Sequence, residues 1–309
     1  MNNLVTRTVS GIVFVALMVG AILWTPWSFV ILMTVILAGT LNEYFNITAE
    51  KRETGSRISA KGLIIVLSLL AYWRSFLLAS PPATGLPDLD HLAVAFFLVL
   101  MRLRDTNLPM NALVPCLVFV IFAYELFTKS ENPFANIGWN VVAIFWILVP
   151  VILTNQVYFQ HGGPFLVALF LLIWIYDSAG YACGSLLGKH PMFPRISPKK
   201  TVEGAIGGVF FTLLFAFFFN RCPELAIYSK MEWVAIALVV VVASTFGDLV
   251  ESLLKRSLSI KDSGSIMPGH GGFLDRFDAY LFTVPFVVAT LWVFSTVHNL
   301  MSIFDYLNK

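Results

Sequence analysis

The residues best equipped for chemistry lie between Gly247 and Asp278, in the run GDLVESLLKRSLSIKDSGSIMPGHGGFLDRFD. Acidic and basic side chains crowd there around a Pro268-Gly269-His270-Gly271-Gly272 turn, in a chain that is 58% hydrophobic and only 12% charged. Charge is costly in so lipid-like a sequence unless it lines a site, so this run marks itself for function. Asp248, Glu251, Ser252 and Lys255 recur at i, i+3, i+4 and i+7, one polar stripe at the end of a span whose other faces are apolar. Asp275 and Asp278, at i and i+3, share a face at the start of the final helix. Glu251 with Lys255 is an ordinary i, i+4 ion pair. Such pairing does not explain why Asp177, Asp248, Asp275 and Asp278 come from three different spans. Oxygen ligands without Cys or clustered His suit a hard cation such as Mg²⁺ rather than zinc.

Two upstream runs extend the pattern. Asp177, Gly180, Tyr181, Gly184 and Gly188 share one helix face. Glycines at that spacing are common in helix packing, but a carboxylate on the same face, deep in an apolar segment, points to a function. The loop from Lys189 to Gly204 carries Ser197, Lys199, Lys200, Thr201 and Glu203. Ser197 or Thr201 can cap the helix that follows, Glu203 suits its first turn, and the free N–H groups beside Lys199 and Lys200 suit a phosphate. The loop alone leaves a second reading open, in which its lysines only set topology or touch anionic lipid. Gly271 and Gly272 allow backbone amides to approach phosphate oxygens. A hard cation, helix N-termini and Lys/Arg together are the equipment of phosphoryl or nucleotidyl transfer. The sequence has no Walker A loop and no dinucleotide fingerprint, so a nucleotide would be held in some other way.

The elements that position these residues are membrane spans. Mean hydropathy is +0.81, with 28 Phe and 8 Trp. Apolar stretches of spanning length recur without the short alternating segments of a barrel, so the chain reads as an all-α, polytopic transmembrane protein. Spans are expected near 5–24, 27–45, 62–80, 109–128, 138–155, 164–188, 204–220, 232–254 and 273–297. Nine crossings put the basic loops on one side, and the positive-inside rule then places the N-terminus in the cytoplasm. Residues 81–108 become a non-cytoplasmic excursion with a short interfacial helix, although Arg102 and Arg104 then fall on the disfavoured side. The first apolar run lacks a convincing cleavage site and reads as an uncleaved helix. Residues 1–160 are expected to form scaffold helices, with Asn42, Glu43 and Glu125 reaching the interface from helix ends. Residues 161–309 are expected to form the catalytic region. Cys116, Cys183 and Cys222 have no metal or disulfide spacing and read as packing residues.

At this point the residues resemble a known family. The run Ser252-x-x-Lys255-Arg256-x4-Lys261-Asp262-x-Gly264-x3-Pro268-Gly269-His270-Gly271-Gly272-x2-Asp275-Arg276-x-Asp278 is similar to the signature of the phosphatidate cytidylyltransferases, or CDP-diacylglycerol synthases. Ser197-Pro-Lys-Lys-Thr-x-Glu203-Gly and Gly247-Asp248-x2-Glu251-Ser252 match the same family, whereas Gly180-Tyr181 departs from its usual Ala-Tyr. The resemblance covers residues 165–298 strongly. It implies condensation of CTP with phosphatidate to CDP-diacylglycerol and pyrophosphate, Mg²⁺ dependence, and a homodimer in the bacterial inner membrane with a cytoplasmic site. A second, monovalent cation is left open, and no nucleic acid is expected.

On that resemblance, Asp248 and Asp275 are the principal metal ligands, with Asp278 and Asp177 as further ligands or supports. Lys199, Lys200, Lys255, Arg256, Lys261 and Arg276 are candidates for the CTP and phosphatidate phosphates. Ser197, Thr201, Glu203, Ser252, Gly271 and Gly272 line the substrate site, and His270 orients a phosphate or the turn. A CTP-dependent polyprenol kinase would need a base for its alcohol acceptor and fits the long signature poorly. A transporter would be expected to show related broken helices in two halves, whereas the charge here is confined to the C-terminal half.

Overall fold

A computed structural model describes residues 3–51, 57–79, 110–264 and 271–307. The excursion expected at 81–108 and the Pro268–His270 turn lie outside the described residues. Each expected span coincides with an apolar helix: α1 (Asn3–Trp24), α2 (Pro26–Ile47), α3 (Arg57–Ala79), α4 (Met110–Glu125), α5 (Pro133–His161), α6 (Gly163–Leu187), α7 (Val202–Phe219), α8 (Lys230–Ser257) and α9 (Leu274–Leu307). Among the described residues, seven of these are long and apolar enough to cross a bilayer; the apolar stretches Ser10–Trp24 and Ala112–Glu125 are shorter. The chain is an integral, multi-pass membrane protein. A small departure from the expected pattern is an antiparallel hairpin, β1 (Pro191–Phe193) with β2 (Ser197–Thr201), in the loop before α7.

The chain divides into two compact units. The first comprises Met1–Gly163 and, unexpectedly, Asp262–Phe277; the second comprises Pro164–Lys261 and Asp278–Lys309. One division falls at Gly163, close to the boundary expected near residue 160, but the signature loop joins the N-terminal helices because the first unit also takes in Asp262–Phe277.

In the first unit, Thr25 breaks α1 from α2. Its hydroxyl accepts from Ser28 N at 3.0 Å, Ser28 answers at Thr25 N, and Pro26 supplies a preset φ at the first helical position. Backbone and side-chain polar groups in an apolar interior must find internal partners. Accordingly Tyr44 Oη donates to Trp139 O at 3.0 Å and Asn155 Nδ2 to Ser75 Oγ at 2.5 Å. Phe29 stacks on Tyr158 with centroids 3.9 Å apart. Within α5, Pro150 cannot donate to the helical ladder and its ring crowds the carbonyl four residues earlier. The helix widens to a π turn over Ile144–Leu148 just ahead of it. Glu43 and Glu125 are only 3% and 4% exposed, packed within the protein rather than reaching outward, which overturns the snorkelling expectation.

In the second unit, Trp233 is fully buried among Phe165, Phe219 and Tyr228, and its Nε1 donates to Leu225 O at 2.9 Å. The glycine face of α6 meets α7 through Gly204: a Cβ there would lie 2.7 Å from Gly180 O and 3.0 Å from Gly184 Cα. Cys183 packs against Gly207 in this seam, whereas Cys116 and Cys222 are exposed, contrary to a packing role.

Candidate functional site

The second unit gathers acids and lysines from three elements. Gly247 sets the geometry. A Cβ at this position would lie 2.8 Å from Phe282 Cβ and 2.9 Å from Asp278 O, so only glycine lets α8 lie this close to α9. Close approach brings Asp248, the next residue, beside Asp278. One carboxylate oxygen each from Asp248, Glu251 and Asp278 lies within 4.8 Å of the others, and Glu251 and Asp278 are buried. Among the described residues this is the group of three acids that could hold a metal ion. Three carboxylates so close repel one another and are expensive to desolvate without cations. Lys200, from β2, pairs with Asp248, and Lys255 pairs with Glu251 at 2.6 Å. Burial alone would lower the Lys200 ammonium. The charge and hydrogen bond of Asp248, helped by Asp177 and Tyr176, outweigh that and raise it above the ordinary lysine value of 10.5.

The hairpin aims Lys200. Thr201, not Ser197, caps α7, its Oγ1 accepting from Gly204 N at 3.2 Å. Glu203 ties down the loop entry: it accepts from the amides of Lys189 and His190 at 3.0 and 3.2 Å and meets His190 Nδ1 at 2.5 Å. Arg256, from the end of α8, donates to Ile196 O and Ile260 O at 3.5 and 3.3 Å, and its side chain is exposed. Lys199 and Lys261 are exposed; Ser197 and Ser252 are half-buried. Asp177 is exposed on α6 and acts on Lys200 through its charge, but it is not one of the three converging carboxylates. Behind the cluster, Tyr176 Oη and Thr245 Oγ1 are 2.6 Å apart, linking α6 to α8 one turn before Asp248.

The first unit holds the other part of the signature run. Asp275 is absent from the carboxylate triplet. Its Oδ2 accepts from Ser263 N at 2.9 Å, Ser263 Oγ at 3.0 Å and Gly272 N at 2.9 Å, closing the two ends of the loop on one oxygen. Gly271 has φ of 82°, the left-handed region that favours glycine, and its α-carbon faces the same carboxylate. Arg276 is exposed, and His270 lies outside the described residues. Two acids were passed over in the sequence. Glu251 stands on the Asp248 stripe in the sequence but is not named there among the metal ligands, because its i, i+4 pair with Lys255 already accounts for it. Glu43 was dismissed as interfacial, although a carboxylate inside an apolar run was the available signal.

Fold and site together define a polytopic helical membrane protein with acids and lysines clustered at helix ends. The sequence profile of the cytidylyltransferase family matches residues 5–294, so the chain belongs to that family. Among its relatives are phosphatidate cytidylyltransferases from three bacteria. That of Bacillus subtilis (strain 168) is 37% identical over 183 residues, covering 58% of this chain and 66% of the relative. Those of Staphylococcus epidermidis (strain ATCC 12228) and Staphylococcus aureus (strain COL) are 34% and 31% identical, each covering 54% of this chain and 64% of the relative. The matched part of the chain thus spans just under two thirds of the length of these relatives.

Proposed function

We propose that the protein transfers a cytidylyl group from CTP to phosphatidate, giving CDP-diacylglycerol and pyrophosphate. The observation that carries this reading is the Asp248–Glu251–Asp278 triplet flanked by Lys200 and Lys255, in a chain of the cytidylyltransferase family. A phosphatidate oxygen attacks the α-phosphorus of CTP, the new P–O bond forms, and the α–β P–O bond breaks with its electron pair leaving on pyrophosphate. The attacking phosphate is already anionic near neutral pH, so no Ser or Cys nucleophile and no strong base is required. The task left to the protein is to bring two anions together and neutralise the departing one.

All three oxygen donors suit a hard divalent cation, so we assign Mg²⁺ to Asp248, Glu251 and Asp278. The chemistry it supplies when bound is withdrawal of charge from phosphate oxygens. Lys200 and Lys255 balance the carboxylates, and with Lys199, Arg256, Lys261 and Arg276 they provide the cationic contacts to the two substrates. Asp275 then serves the loop rather than the metal, and Asp177 supports Lys200 electrostatically. The distribution of basic loops supports a cytoplasmic site in the inner membrane; assembly as a homodimer follows the family resemblance. Incubation of the detergent-purified protein with labelled CTP and phosphatidate, with and without Mg²⁺, tests the reading. Mg²⁺-dependent label in the lipid phase with release of pyrophosphate is expected; no labelled lipid under any condition would overturn it.

A further inference from the structure

Glu43 is buried in α2 more than two hundred residues from the signature loop, yet it lies against both ends of that loop. Its Oε2 accepts from Leu274 N at 2.9 Å and from Ser263 Oγ at 3.1 Å. Ser263 Oγ is also 3.0 Å from Asp275 Oδ2, so one hydroxyl proton serves two carboxylates. The glycines of the run are shaped by the same side chain. A Cβ on Gly264 would lie 2.6 Å from Glu43 Oε1 and 2.9 Å from its Cδ, with no other atom nearer than 3.4 Å. A Cβ on Gly272 would collide with Glu43 Oε2 and lie 2.5 Å from Ser263 Oγ. Neither glycine has a positive φ, so close approach rather than backbone freedom is what requires them. Gly272 was expected to serve a phosphate, but its position is accounted for by a carboxylate from the N-terminal helices.

We infer that Glu43 is a positioning residue for the transfer reaction. By accepting from Leu274 N at the first residue of α9, it fixes where that helix begins, and so the placement of Asp275 and Arg276 in its first turn. A carboxylate at a helix N-terminus also satisfies a donor that the helix leaves unpaired and is favoured by the helix dipole. The N-terminal helices therefore help to aim Asp275 and Arg276, and are not only a scaffold. The inference rests on the proposed cytidylyl transfer for its kinetic readout but not for its structural one.

The test uses the full-length protein in detergent with Glu43→Gln, Glu43→Ala, Gly264→Ala and the double variant Glu43→Ala/Gly264→Ala. Glu43→Gln keeps an oxygen acceptor of the same reach and should retain kcat within about threefold, whereas Glu43→Ala should lower kcat at least about tenfold with KM for CTP nearly unchanged. Gly264→Ala should be about tenfold impaired alone and add less than about twofold once Glu43 is alanine, because the atoms it strikes are gone. Hydrogen exchange at the Leu274 amide should accelerate in Glu43→Ala and stay slow in Glu43→Gln. Unchanged Leu274 exchange in Glu43→Ala, or an undiminished Gly264→Ala defect in that background, would overturn the positioning role. So would a kcat loss in Glu43→Ala that merely tracks a fall in melting temperature. A wild-type protein inactive with CTP and phosphatidate would sink the activity reading instead, and the exchange experiment would still decide the role of Glu43.

Discussion

Replacing Gly247 by alanine adds one methyl group at the point where α8 meets α9. That methyl would lie 2.8 Å from Phe282 Cβ, 2.9 Å from Asp278 O and 3.0 Å from Ala279 Cα, where ordinary contact begins near 3.4 Å. The helices must therefore part by about half an ångström, and overpacking of this kind costs about 1–3 kcal/mol. Alanine gains about 1 kcal/mol over glycine in helix propensity, so global stability should change little. The site is less forgiving. Asp248 follows the enlarged residue directly and Asp278 supplies the carbonyl that is struck, so the displacement acts directly on two of the three converging acids. Misplacement approaching an ångström can cost about a hundredfold in rate, so a loss of kcat of about 10–100-fold is expected, with a higher Mg²⁺ concentration for half-activity. The assay is incorporation of labelled CTP into extractable lipid across a Mg²⁺ series. Gly138→Ala serves as control, because nothing lies within 4 Å of the added atom. Wild-type kcat and Mg²⁺ dependence in Gly247→Ala would refute the claim that this glycine sets the carboxylate geometry.

Other expectations follow from the same contacts. Asp248→Asn and Asp278→Asn should each reduce Mg²⁺-dependent turnover by at least about a hundredfold; Asp275→Asn should instead leave the Mg²⁺ concentration for half-activity unchanged while lowering the melting temperature. Equal shifts in Mg²⁺ dependence for Asp275→Asn would return that residue to the metal. Lys200 has a folded pKa above 10.5, so its pairing with Asp248 stabilises the fold from neutral pH up to 10.5 and is lost as pH rises through the folded value. Melting curves should therefore fall more steeply above pH 10.5 for the wild type than for Lys200→Met; parallel curves would contradict this. Thr201→Val removes the cap of α7 and should destabilise by about 1 kcal/mol, read as a lower denaturation midpoint with a looser hairpin. An unchanged midpoint would show that the cap contributes nothing.

The helices were legible because spanning length and apolar content are local properties of the chain, and even the one-residue break at Thr25 is written in its capping residues. The stripe of Asp248 and Lys255 was legible for the same reason, since helical periodicity alone aligns it. What periodicity could not say is which acids meet. Asp275 and Asp278 looked equivalent at i and i+3, yet one closes a loop and the other joins Asp248, a choice made by where Gly247 lets two helices touch. The hairpin at Pro191–Thr201 was hidden because its prolines and lysines carry no alternating pattern. Glu43 was hidden for a different reason: its partners Ser263 and Leu274 stand 220 and 231 positions away.

That separation has a consequence for how the protein is made. The N-terminal helices enter the membrane first, but the first unit is completed only when Asp262–Phe277 arrives. At about 5–20 residues per second, roughly 10–45 s of synthesis separate Glu43 from the amide it accepts from. Throughout that interval a carboxylate destined for a buried position has neither of its final donors. The chain threads from one unit into the other and back, so cutting the gene near residue 160 leaves the upstream fragment without Asp262–Phe277, the piece that completes the first unit. The late segment Asp262–Phe277 is thus the closing stitch of the early helices.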